Sequence, residues 1–100
     1  IGIRAHELAL EVERPIKSIA IRDPATRWGS CSAAGGLCFS WRLILAPPDV
    51  LEYVVAHEVA HLCQMNHSRR FWALVETLIG DCSADRSWLR RNGTLLRRYG

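Results

Sequence analysis

Residues 46–67 read APPDVLEYVVAHEVAHLCQMNH, and the reading of this stretch decides the fold. Ala46-Pro47-Pro48-Asp49 has the form of a helix start, with proline at the opening and an acid in the first turn. From Asp49 to about Met65 the spacing predicts a helix. At about 100° per residue, Val50, Val54, His57, His61 and Met65 share one stripe, and Leu51, Val55, Val59 and Leu62 fill the next. Only Glu52 and Gln64 suit solvent. A helix that is apolar nearly all round belongs at the centre of a domain. Two histidines and a glutamate within it therefore need partners.

Before this helix, Ile3, Ala5, Leu8, Ala9 and Val12 recur at helical spacing over residues 3–13, and Pro15 ends the stretch. Residues 17–22 alternate as a strand, with a turn expected at Asp23-Pro24. RWGSCSAAGG (27–36) reads as a Gly-rich connection whose Gly35-Gly36 suits a turn. Leu37 to Trp41 reads as a second strand pairing back on the first. After the central helix, Ser68 caps a helix over 69–79 that Gly80 stops. Ser83 opens a last helix of roughly 84–91, anchored by Trp88 and Leu89 and interrupted by Gly93. The expectation is a small α+β domain: a short antiparallel sheet packed on a central helix, with further helices at the C-terminal end.

Three of the four histidines lie within eleven residues: His57 and His61 in H-E-x-x-H, and His67 six positions on. On a helix, positions i and i+4 lie about 40° apart, one turn above each other. Both imidazoles can then reach one Zn²⁺. Glu58 stands about 60° round from His61, beside the metal, where it can contact a bound water. His67 can be the third ligand if the helix ends near Met65 and Asn66 turns the chain back; otherwise it lies about 9 Å further along the axis. Cys63 lies well round the helix from both histidines, and His6 is isolated. The metzincin pattern would need glycine at Gln64 and a later methionine for its turn; the chain has neither.

The 100 residues, 49% hydrophobic and 23% charged, are expected to form one domain over 1–100 and exclude a disordered or collagen-like chain. No apolar run could cross a membrane. The chain begins at Ile1, so a piece of a longer protein is expected. Cys31, Cys38, Cys63 and Cys82 form no C-x-x-C pair and read as reduced thiols of a cytoplasmic protein. The net charge is only +3, but Arg86, Arg90, Arg91, Arg97 and Arg98 crowd an acid-free end. That end reads as a solvated helix face or a weak patch for nucleic acid.

The runs RWGSCS (27–32) and WRLILAPPDVLEYVVAHEVAHLCQMNHSRRFW (41–72) closely resemble the YgjP-like metallopeptidase domain, a compact relative of SprT-like and other gluzincin-type metallopeptidases. The likeness spans about residues 17–92. It implies a zincin-like fold, zinc held by His57, His61 and His67, and Glu58 as the catalytic carboxylate. The expected function is hydrolysis of a peptide or related amide by a zinc-activated water, with Glu58 as general base and proton donor to the leaving amine. Arg27, Ser30 and the Gly-rich loop are candidate oxyanion donors. A peptide could add as a strand along the edge of 37–41. Asp49, Glu76, Asp81 and Asp85 are candidates to orient the imidazoles. The alternative is a non-catalytic zinc-binding module that meets nucleic acid or a protein partner through its Arg-rich end. A third reading joins the two, as a peptidase acting on proteins bound to nucleic acid.

Overall fold

Residues 2–22 and 28–97 are described by a computed structural model, the last five by backbone alone. The first helix, α1 (Gly2–Glu11), buries Ala5, Leu8 and Ala9 at helical spacing and leaves its other face in solvent. Arg4 ties it to the central helix, its Nε donating to Glu52 Oε1 at 2.8 Å. Both side chains are half exposed, so the pair contributes at most about 1 kcal/mol. Beyond α1 the chain turns at Glu13, whose φ of 57° is left-handed.

Three strands follow: β1 (Ser18–Arg22), β2 (Gly29–Cys31) and β3 (Gly36–Ser40). Their order is β1-β3-β2, with β1 parallel and β2 antiparallel to β3. The sheet is therefore mixed, and the expected antiparallel pairing of residues 17–22 with 37–41 is corrected. The chain reverses twice between those segments, once into β2 and once at the Ser32–Gly35 turn. Two reversals leave β1 and β3 running the same way. Gly35, at φ 94°, closes the second reversal, where its amide donates to Ser32 O at 3.0 Å. The turn expected at Asp23-Pro24 lies outside the described residues.

Trp41 is not strand. Ser40 Oγ accepts from the Arg42 amide at 3.3 Å and starts a short 3₁₀ helix, Trp41–Leu45. The central helix α2 (Pro48–Ala60) then begins at the expected prolines. It ends earlier than the apolar stripe suggested, at Ala60 rather than Met65. Bonds from Leu62 N to Val59 O and Cys63 N to Ala60 O tighten its last turn. Ser68 caps α3 (Arg69–Ile79), and Gly80, at φ 81°, ends it. The last helix, α4 (Ser83–Arg97), runs through Gly93. One interior glycine costs only about 1 kcal/mol and does not interrupt it.

The core lies between the inner face of the sheet and the helices around α2. Leu8, Leu37, Phe39, Leu43, Val55, Val59, Phe71 and Val75 are all buried. Val54, Val55, Ala56, Val59 and Ala60 of α2 are covered on all sides, as an apolar helix requires.

Candidate metal centre

Helical geometry sets the first two imidazoles. His57 stands in the last turn of α2 and His61 at its C-cap, so their rings lie one turn apart, centroids 4.9 Å from each other. The early helix end does the rest. The chain folds back through residues 61–66 and brings the His67 ring to 5.2 Å from His57 and 4.9 Å from His61. One nitrogen from each ring falls within 4.8 Å of the others. A tetrahedral zinc with Zn–N of about 2.0–2.1 Å asks for nitrogens roughly 3.3–3.4 Å apart. A modest rotation of the rings closes that difference, so these three residues could hold a metal ion.

Hydrogen bonds select the nitrogens. His61 Nδ1 lies 2.9 Å from the Gln64 carbonyl. A carbonyl only accepts, so Nδ1 carries the proton and Nε2 keeps its lone pair. His57 Nδ1 lies 3.1 Å from Glu58 Oε2, and an ionised carboxylate imposes the same tautomer. Desolvation, together with the neighbouring His57 and His61, holds the His67 imidazole below its ordinary pKa. For His67 these outweigh the opposing pull of Glu58 and favour the neutral, metal-binding form.

An aromatic bed supports the rings. Phe71, fully buried, lies 4.9, 4.4 and 5.0 Å from the centroids of His57, His61 and His67. Trp72 stacks beneath His67 at 5.9 Å and an interplanar angle of 26°. The Arg86 guanidinium covers Trp72 at 4.0 Å. The spacing of Phe71 and Trp72 reads as helix core; their contact with the imidazoles becomes legible only once the chain is seen to double back at 61–67.

Strand β2 forms the opposite wall. Glu58 is only 5% exposed, and it lies against Gly29. A Cβ on Gly29 would stand 3.0 Å from Glu58 Cγ and 3.2 Å from Glu58 Oε2. Glycine here permits a close approach of backbone to helix. Gly29, Ser30 and Cys31 face His57, Glu58, His61, Met65 and His67 across a cleft of about 270 Å³. Burial, reinforced by Glu58, pushes the Cys31 thiol up to about 11. An adjoining apolar pocket of about 180 Å³ is walled by Trp28, Tyr53, Val54 and Leu89.

Other expected site residues lie elsewhere. Ser30 lines the cleft, whereas Arg27 falls outside the described residues. None of Asp49, Glu76, Asp81 or Asp85 makes a hydrogen bond to an imidazole; the partners are Glu58 and the Gln64 carbonyl. Asp49, Asp81 and Asp85 instead border a separate pocket with Glu52. The free strand edge is not 37–41, because β3 is paired on both sides; the edge over the cleft belongs to β2. In the Arg-rich end, Arg86 is occupied by Trp72. The Arg97 side chain and Arg98 lie outside the described residues.

The crystal structure of the metallopeptidase zymogen of Pyrococcus abyssi abylysin superposes with a TM-score of 0.75 at 22% identity, over 94% of this chain and 93% of that one. That of Methanocaldococcus jannaschii jannalysin, also a metallopeptidase zymogen, gives 0.72 at 18% identity, over 94% of this chain and 95% of that one. At these identities the likeness is one of fold, and it extends over the mixed sheet and the helices around α2. No curated protein sequence matches. The model of the YgjP-like metallopeptidase domain matches residues 1–92, taking in the three histidines, Glu58 and the strand above them, and the chain belongs to that family.

Proposed function

We propose that this domain is a zinc-dependent peptidase in which His57, His61 and His67 hold the ion and Glu58 is the general base. The observation that carries the reading is the convergence of three imidazoles and one buried carboxylate on a single open cleft beneath a strand edge. A structural zinc site is usually closed by four protein ligands. Among the described residues only three donors group here, and the Glu58 carboxylate that meets the His57 ring also lines the cleft beside them.

A zinc ion held there supplies Lewis acidity, polarising a carbonyl oxygen and bringing the pKa of water towards about 7. The chain's own residues do the remainder. Glu58, fixed between Gly29 and the His57 ring, takes a proton at its carboxylate from the attacking water and returns it to the departing amine. Peptide is taken up in extended form by the outward-facing amides and carbonyls of β2. The substrate is therefore a peptide or an unfolded protein segment. No described helix is long and apolar enough to cross a membrane, and four free thiols suit the cytoplasm.

Glu58→Gln tests the assignment. It keeps the side-chain volume and leaves the three histidines intact. The expected result is unchanged zinc content by elemental analysis, with hydrolysis of mixed peptides reduced by about 10²–10⁴. Wild-type activity in this variant would show that another group is the base.

A further inference from the structure

We propose that Arg14 makes this domain selective for an acidic side chain within two residues on the N-terminal side of the bond it cuts, an inference that rests on the peptidase reading above. The metal cleft continues into a pocket of about 240 Å³ through His61 and Met65, which line both. Arg14 brings the only full cationic charge to that pocket, and no acidic residue lines it. Among the described residues the Arg14 side chain has no hydrogen-bond or ion-pair partner. Arg4, by contrast, is held by Glu7 and Glu52.

The opposite wall adds neutral donors. Ser32 Oγ accepts from the Gly36 amide at 3.0 Å, which leaves its own hydroxyl hydrogen to give. The Ala33 and Ala34 amides, in the turn before Gly35, donate to nothing among the described residues. Residues that bring a guanidinium, a hydroxyl and unused amides to one pocket supply the donors a carboxylate needs, and charge-assisted bonds of this kind are the strong ones.

Strand direction fixes which side of the substrate reaches it. Ser40 N donates to Trp28 O, and Ser32 N to Gly36 O. Residues 28, 30 and 32 therefore turn their backbone groups to β3, and those of Gly29 and Cys31 face the free edge. A peptide pairing antiparallel there runs with its N-terminal part towards Ser32 and its C-terminal part towards Trp28. Glu58 lies against Gly29, so the bond to be cut lies near that end. Two residues back along the peptide, about 7 Å at strand rise, a residue stands level with Cys31, next to the Ser32 that lines the Arg14 pocket.

The experiment maps cleavage sites of the zinc-loaded protein in a peptide library and compares Glu with Gln at each position. A preference for Glu of about fivefold is expected within two residues N-terminal to the cut, a value already discounted for the exposure of Arg14. The ratio should fall to about one in Arg14→Gln, partly return in Arg14→Lys, and drop below one in Arg14→Glu. Each ratio is internal to one variant, so a change in overall activity does not blur it. The absence of an acid preference, a preference on the C-terminal side, or a ratio that survives Arg14→Gln would overturn the proposal. Affinities of zinc-loaded Glu58→Gln for an uncleaved Glu peptide and its Gln twin provide a readout independent of hydrolysis. If the wild type cut no peptide, the peptidase reading would fall; equal affinities would sink the Arg14 assignment on their own.

Discussion

Adding one methyl group at Gly29 separates the role of Glu58 from that of the histidines. The new Cβ would meet Glu58 Cγ at 3.0 Å, Glu58 Oε2 at 3.2 Å and Val54 Cγ1 at 3.2 Å. Carbon atoms prefer about 3.5–4.0 Å, so the shortfall is roughly 0.5–1 Å. The backbone itself accepts alanine, because positive φ is confined to Gly35 and Gly80 among the described glycines. Neither wall yields easily: β2 is bonded to β3, and α2 is packed on all sides. The carboxylate must therefore give way. Overpacking costs about 1–3 kcal/mol, and the stiffer unfolded chain returns about 0.4–1 kcal/mol, leaving a net loss of roughly 0–2.6 kcal/mol. A base displaced by about 1 Å can cost about a hundredfold in rate. Gly29→Ala should therefore lose about ten- to a hundredfold in kcat/KM on a peptide substrate. It should retain its full zinc content and unfold in urea only slightly earlier than the wild type. Unaltered kcat/KM would refute the contact argument, and a loss of zinc in step with activity would refute the separation of roles.

Three further outcomes follow from the same geometry. His61→Ala should fail to retain zinc and should melt below the chelated wild type, having also lost the bond to the Gln64 carbonyl, while the chelated wild type melts below the zinc-loaded one, since binding energy feeds folding; a zinc-dependent rise in the variant would count against His61 as a ligand. Trp72→Ala should weaken zinc binding about tenfold in chelator competition, with Trp72→Phe keeping most of it, because the stack beneath His67 is what holds that ring. Desolvation, and then the like charges of Asp49 and Asp81, holds the Asp85 carboxyl above its ordinary range. The folded state thus favours its protonated form, and the stability this gives is lost as pH rises through the raised value. Asp85→Asn should be more stable than the wild type near pH 7 and lose that advantage below about pH 4, as read by paired urea titrations; an advantage undiminished at about pH 3 would contradict the sign.

The central helix and its H-E-x-x-H pair are legible because helical periodicity acts within one segment. A buried stripe at 50, 54, 57 and 61 needs no knowledge of the rest of the chain. The end of that helix is not legible. It is made of backbone bonds to Val59 O and Ala60 O and of the His61 ring meeting the Gln64 carbonyl, and a backbone acceptor has no residue identity to read. The sheet order is hidden for a related reason. Gly29-Ser30-Cys31 has little strand propensity of its own and becomes a strand by pairing with β3. Alternation in 17–22 and 37–41 marks two strands but not the third between them. The candidate acids failed for want of reach: Asp49 and Asp85 are drawn to the far end of α2, where they border a pocket that contains no histidine.

What the sequence divides into ligands and core, the structure joins. Phe71 is read as a core residue, yet it touches all three imidazoles while remaining fully buried. The histidines are therefore gathered by packing. His61 is 8% exposed and has its tautomer set by a carbonyl, and His67 is stacked on a tryptophan that an arginine also contacts. A metal entering such a site need not order a loop, so little of its binding energy is spent on conformational entropy. The same packing makes the site unforgiving. The rings rest on one phenylalanine in the first turn of α3, and any slippage of α3 against α2 carries His67 away from His57 and His61 together. Affinity for the ion is on this account a property of the α2–α3 contact as much as of the three ligands.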